Sequence, residues 1–152
     1  MRVLPRYQQV AFLALASLAS CDLFSVSREE VLRLPSPDQK MDAVVIETDG
    51  GATTGFGYEI HIVRHEAKPQ RGDEAAFLYD AVRSPSAYGV NLAWLSSDKI
   101  TVQYDVAKIA KLKRADVNIE GDPITVELQS GKPDPYAPAG GMGYNLLKGR
   151  TH

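Results

Sequence analysis

The stretch Tyr58-Glu59-Ile60-His61-Ile62-Val63 decides the fold. Tyr58, Ile60 and Ile62 fall on one side of an extended chain, and Glu59, His61 and Val63 on the other, which is the period-two pattern of a half-buried strand. The alternation returns twice. Ile100, Val102 and Tyr104 alternate with Thr101, Gln103 and Asp105, and Ile124, Val126 and Leu128 with Thr125, Glu127 and Gln129. Ala43 to Ile46 is a continuous apolar run and reads as a more central strand. Asp49-Gly50-Gly51, and Ser96-Ser97-Asp98 between Trp94-Leu95 and Ile100, are hairpin signals.

Residues 74 to 83 fit two templates. Ala75, Leu78, Tyr79 and Val82 have helical spacing, while Phe77, Tyr79 and Ala81 line one face of a strand. Strand is preferred because both neighbours are strands. The pattern predicts a mostly β domain, an antiparallel curled sheet or small β-sandwich of about six or seven strands with little helix. Its expected core is Val44, Ile46, Ile60, Ile62, Trp94, Ile100, Val102, Val126 and Leu128.

Outside this region the patterning changes. Ser27 with Glu30 fits a capping box ahead of Val31, Leu32 and Leu34, which predicts a turn or two of helix stopped by Pro35 and Pro37. Residues 130 to 152 hold three prolines and five glycines but few apolar side chains beyond Met142, Leu146 and Leu147. Such a segment buries too little surface to offset its ordering entropy, so it is expected as a flexible tail. The predicted organisation is a leader over 1–20, a tether over 21–35, the β domain over 36–130 and the tail over 131–152.

At the start, Arg2 and Arg6 precede an apolar run from Val10 to Ala19 and then Leu18-Ala19-Ser20-Cys21. This is the layout of a secretory signal peptide, and the run is about half the roughly 20 residues needed to span a bilayer as a helix. Leu18-Ala19-Ser20-Cys21 resembles the lipobox of bacterial lipoproteins. The resemblance implies cleavage between Ser20 and Cys21, acylation of Cys21, and a protein held to membrane lipid facing the periplasm. Asp22, after the cysteine, favours the inner membrane under the enterobacterial rule. Cys21 is the only cysteine in the chain, which excludes an internal disulfide.

Loss of residues 1–20 would leave 132 of the 152 residues, with 15 basic against 19 acidic side chains and a formal charge of −4 in place of −2. An acidic domain gains nothing from phosphate backbones, which argues against nucleic acid as a partner. Lys108, Lys111, Lys113 and Arg114 are the one basic cluster and read as a solvated face.

Four patterns carry possible chemistry. His61 and His65 on a strand would stand about 13 Å apart, at roughly 3.3 Å per residue, too far to share a metal ion, and are expected to be exposed. Gly51-Ala52-Thr53-Thr54-Gly55 has the spacing of a nucleophile elbow with Thr53 in the nucleophile's place, but Phe56 to Ile60 reads as strand where the elbow needs helix. Gly51 to Gly55 is therefore expected as a glycine-rich loop and possible binding loop, with catalysis by Thr53 as the alternative. Gly141-Met142-Gly143-Tyr144-Asn145-Leu146 lacks the third glycine of a dinucleotide fingerprint, and Lys148-Gly149 lacks the hydroxyl residue of a phosphate loop. Glu47 and Asp49 read as solvated strand-end charges. None of these calls for a cofactor or a metal.

Ser36-Pro37-Asp38-Gln39-Lys40 before an apolar strand resembles a propeller-blade turn in which Gln39 replaces glycine, but a propeller needs at least four blades. Together with Gly51-Ala52-Thr53-Thr54, the segment from about residue 36 to 105 resembles a group of uncharacterised bacterial exported or lipid-anchored β domains, which implies a fold and no activity. The expected function is a non-enzymatic, membrane-tethered binding or structural protein, of inhibitor or immunity type, with an envelope protein as its partner. The alternatives are a small hydrolase using Gly51 to Gly55 and a carrier of a small ligand.

Overall fold

The computed structural model describes residues 26–149. In chain order the strands are β1 (Ser27–Pro35), β2 (Met41–Asp49), β3 (Gly57–Arg64), β4 (Ala76–Tyr79), β5 (Val82–Ser84) and β6 (Ala87–Tyr88). They continue as β7 (Asn91–Ser96), β8 (Lys99–Gln103), β9 (Ile109–Leu112), β10 (Asp116–Ile119) and β11 (Asp122–Gln129), followed by one helix, α1 (Met142–Gly149). One sheet has the order β1-β2-β3-β4-β9 and is antiparallel throughout; the second has the order β10-β11-β8-β7, and β5 pairs with β6. Neither sheet closes into a barrel. The class is as expected, mostly β and sandwich-like, with more and shorter strands than the alternation alone distinguishes.

β8 and β11 run parallel, so the chain between them must cross over. It does so by visiting the other sheet. After Gln103 it adds β9 to the free side of β4, then returns as β10 against β11. One core joins both sheets, with Val45, Tyr58, Ile60 and Ile62 from the first and Ile100, Val102, Val117, Ile124 and Val126 from the second. Trp94 and Leu128 pack at its margin, only partly buried. The 74–83 segment is extended, as β4 and the start of β5.

β2 is buried from Met41 to Glu47. Met41, Ala43 and Val45 belong to the core, whereas Val44 and Ile46 face the other way, beside Arg33 and His61 and beside Glu59 in the strand registers. Long charged side chains on that face cover apolar surface with their stems while pairing at their tips, as Arg28 does with Glu59 and Arg33 with Glu30.

Two sequence expectations are corrected here. The Ser27 to Leu34 segment is strand rather than helix: it pairs with β2 from Ser27↔Asp49 to Pro35↔Asp42, with a bulge at Val31 that turns this side chain into the core. A free edge on β2 outweighs a local capping pattern worth about 1 kcal/mol. The folded domain thus starts before residue 36.

The expected tail over 131–152 is, within its described part, bonded to the rest of the fold at several points. Gly131 and Lys132 donate backbone N–H to Asp105 and Tyr104, Asp134 to Arg83 and Gly140 to Ser86, while Tyr88 donates to Gly140. α1 follows, with Met142 and Gly143 buried. Low apolar content misled because backbone groups, not side-chain area, make most of these ties.

The Ser36–Lys40 turn explains its own composition. Ser36 Oγ donates to Asp38 Oδ1 at 2.7 Å and accepts the Met41 amide at 3.1 Å, and Gln39 takes φ 58°. That left-handed conformation is the reason glycine suits this position in similar turns.

Candidate functional site

Glu47 sits near the end of β2 with its side chain on the core face, opposite Glu29 of β1 and Tyr58 of β3. Sequence reading made it a solvated strand-end charge, and the structure overturns this: Glu47 is 7% exposed. A buried carboxylate needs its lone pairs filled. Tyr58 Oη donates to Oε2 at 3.0 Å, the Met142 amide to Oε2 at 2.8 Å and the Gly143 amide to Oε1 at 2.9 Å. The two amides are orphan donors of the first turn of α1, where the helix dipole also favours a negative charge. Burial, and then the adjacent Glu47 charge, push the Tyr58 phenol far above its ordinary value, so it remains a donor.

The Gly-x-Gly pattern at 141 to 143 thereby acquires a physical role. A Cβ on Gly143 would stand 2.8 Å from Glu47 Oε1, and one on Gly141 3.0 Å from the Phe56 ring. Glycine at both positions lets the backbone approach an anion, as in a dinucleotide site, but here the anion is the chain's own carboxylate.

Beside this junction lies an open cleft of about 450 Å³. Its strand wall carries Ser27, Glu29, Glu47 and Asp49, and its other wall Phe56, Tyr88, Tyr144 and Leu147 with the glycines between them. Phe56 and Tyr88 meet edge to face, 5.4 Å between centroids at 62°. Glu29 and Glu47 are directly opposed across the β1–β2 pair, and like charges in that relation repel. Glu47 has three donors; Glu29 is exposed and has no hydrogen bond or ion pair among the described residues. Among the described residues no lysine or arginine lines the cleft, although Lys148 of α1 lies 4.9 Å from the Tyr144 ring centroid. The arrangement can hold a molecule that is apolar at one end and cationic at the other.

No family model, curated protein or solved structure matches this chain.

Ser20, Cys21 and Asp22 lie outside the described residues. Gly51, Ala52, Thr53, Thr54 and Gly55 form the turn from β2 to β3, away from the lining of the large cleft. Asp49 Oδ1 accepts the Gly51 amide at 2.8 Å, Gly51 takes φ 100°, and its carbonyl accepts both the amide and the Oγ1 of Thr54 at 3.0 Å. Gly55 donates to Tyr79 Oη at 2.9 Å. Gly50, Thr54 and Gly55 edge a smaller hollow of about 220 Å³ with Val26, Phe77 and Tyr79. Thr53 is exposed, and the segment after it is strand β3, so the sharp strand-to-helix turn of a nucleophile elbow is not formed.

The two histidines part company. His61 is fully buried, which corrects the expectation of an exposed strand histidine. It faces away from the core beside Val44, and its Nε2 lies 3.3 Å from Glu59 Oε2 while Nδ1 has no partner among the described residues. His65, in the turn after β3, is exposed as expected, with Nδ1 2.7 Å from Asp42 Oδ1. Asp42 is buried and also accepts from Arg33 Nη1 at 2.7 Å and from the Glu66 amide at 2.8 Å, tying β1, β2 and that turn together. A carboxylate–imidazole pair is two-thirds of a hydrolytic triad, but no hydroxyl is bonded to His65 among the described residues.

The basic cluster spans the edge strand β9, with Lys108 before it, Lys111 on it and Lys113 and Arg114 after it, and all four residues of β9 are exposed. Lys113 pairs with Glu74, and Lys108 lies 5.9 Å from the Tyr79 centroid. Lysines on a free sheet edge discourage pairing with another chain. Neither Glu47 nor Phe56 was singled out as a site residue. The available signal was the Gly-x-Gly spacing at 141 to 143.

Proposed function

We propose that the chain is a lipid-anchored protein of the bacterial envelope that works by binding rather than by bond-making, and that the cleft between the β1–β2 strands and α1 is its binding face. The cleft carries the proposal. Among the described residues, aromatic rings and carboxylates, Glu29 without a partner, converge there on the same space. The address rests on the resemblance of Leu18-Ala19-Ser20-Cys21 to a lipobox. Six residue steps separate Cys21 from Ser27, at most about 20 Å of extended chain, so acylation at Cys21 would hold the cleft close to the bilayer surface. The small-ligand alternative gains from the cleft, and the hydrolase alternative loses from the strand that follows Gly55.

Mass spectrometry of the N-terminal peptide from protein expressed in a bacterium tests the anchor. An acylated cysteine at position 21 is expected, with release of the Cys21→Ser protein from the membrane fraction. A mature chain that begins at Met1 without fatty acid would remove the address. Retained fold with lost turnover in Thr53→Ala, on any ester or amide substrate, would replace binding by hydrolysis.

A further inference from the structure

We propose that the cleft binds an organic cation, a substituted ammonium group on an apolar or aromatic body. The inference deepens the binding role proposed for the domain and rests on it. Three observations converge. Glu29 and Glu47 are placed directly opposite each other, with Asp49 opposite Ser27 one pair further along the same face, so three carboxylates share one wall. Among the described residues no basic side chain lines that wall to offset them, and Glu29 has no partner. Across the cleft stand Phe56, Tyr88 and Tyr144, whose ring faces attract cations.

Each wall alone is ordinary. Solvated carboxylates are common on sheets, and exposed aromatics are common near helix ends. Together they define a ligand by both ends: the negative strand wall takes the ammonium group, and the rings and Leu147 take its apolar body. The Lys148 ammonium already lies over the Tyr144 ring, which shows the ring disposed toward a cation; Phe56 and Tyr88 supply the remaining surface. Glu47 is not free to follow the ligand, because Met142, Gly143 and Tyr58 hold it. Glu29 is, being exposed and unpaired, and it is the residue on which affinity should depend most.

The test uses the full chain in a non-ionic detergent, titrated with benzyltrimethylammonium, benzyl alcohol and phenylacetate, three probes of similar ring and different charge. Amide shifts of Gly140, Gly141 and Gly143 report occupancy. Saturable shifts with the ammonium probe only, weakened about three- to tenfold in Glu29→Gln and by added salt, are expected. Equal shifts with all three probes, or shifts with phenylacetate alone, would overturn the cation and leave the cleft as a binding site. Ammonium binding that Glu29→Gln does not weaken would also overturn it. No shift with any probe would overturn both the cation and the binding role. Once the ammonium probe has bound, the same shifts in a phosphatidylethanolamine bilayer but not a phosphatidylglycerol bilayer assign the natural cation to a lipid headgroup. Their absence in both assigns it to a soluble amine.

Discussion

Glu47 accepts the Gly143 amide at 2.9 Å across 96 positions of sequence, and so fastens the last helix of the chain to the second strand of the sheet. The bond is made inside the fold, with the acceptor 7% exposed. A carboxylate in that position caps α1 from outside the helix, where a neighbouring serine or aspartate usually would. It also sets the width of the cleft, because α1 supplies one wall and β2 the other.

Glu47→Ala strands the Tyr58 hydroxyl and two amides. A loss of about 2–4 kcal/mol in unfolding free energy is expected, read from the denaturant midpoint, with faster proteolysis after residue 130. Glu47→Gln keeps one acceptor and should cost less than half of this. Equal stability of all three proteins would show that α1 does not depend on this carboxylate.

Gly89 is a second clamp on α1. It takes φ 121°, and a Cβ there would stand 2.6 Å from both Cγ and Sδ of Met142. Gly89→Ala should cost roughly 1–3 kcal/mol. In the double variant with Met142→Ala, the steric part is relieved and the backbone part remains, so the two changes should be less than additive in a thermal-denaturation cycle.

The histidines should give opposite pH responses. Burial lowers the His61 pKa, only partly offset by Glu59, so the unfolded chain takes up this proton first and stability falls as pH drops below about 6.5. The hydrogen bond to Asp42 raises the His65 pKa despite some desolvation, so its contribution is complete below about 6.5 and disappears as pH rises through the higher folded value. Relative to the parent, His61→Leu should therefore gain most near pH 5, and His65→Gln should lose most there and least near pH 9. Parallel melting curves for both variants from pH 5 to 9 would contradict these assignments.

Acid sensitivity should also pass through Asp42. Burial raises its pKa, but hydrogen bonds from His65, the Glu66 amide and Arg33 outweigh that and hold it below the ordinary value. Its contribution is present above about pH 4 and is lost as pH falls through the folded value. Asp42→Asn should flatten the acid limb of the stability profile while lowering stability at pH 7.

Thr53 should be silent. Its side chain is exposed, and the turn is held by Asp49, Gly51 and Thr54 around it. Thr53→Ala is expected within about 0.5 kcal/mol of the parent. Thr54→Ala, which removes the Oγ1 bond to Gly51, should cost more.

The strands that alternate were legible in the sequence: Tyr58 to Val63, Ile100 to Tyr104 and Ile124 to Leu128 need only a period of two to assign one face to a core. The Ser97-Asp98 hairpin was legible for the same local reason. Ser27 to Pro35 was not, because its own residues suit a capped helix and only the open side of β2 makes it a strand. The candidate cleft was half visible. Gly51 to Gly55 drew notice through composition and proved to be a turn satisfied by its own hydrogen bonds, whereas the cleft forms between Glu29, Glu47 and Tyr144, which no local window contains.

By itself, then, the sequence determined the β class, the alternating strands' share of the core and the positions of the tight turns, since these follow from side-chain alternation and backbone conformational limits over a few residues. Tertiary structure alone decided that Glu47 is buried, that the chain beyond Gln129 folds back onto the sheets, and that carboxylates and aromatic rings face one another. Those outcomes depend on which distant donor reaches a buried charge, a condition that exists only once the strands have been brought together.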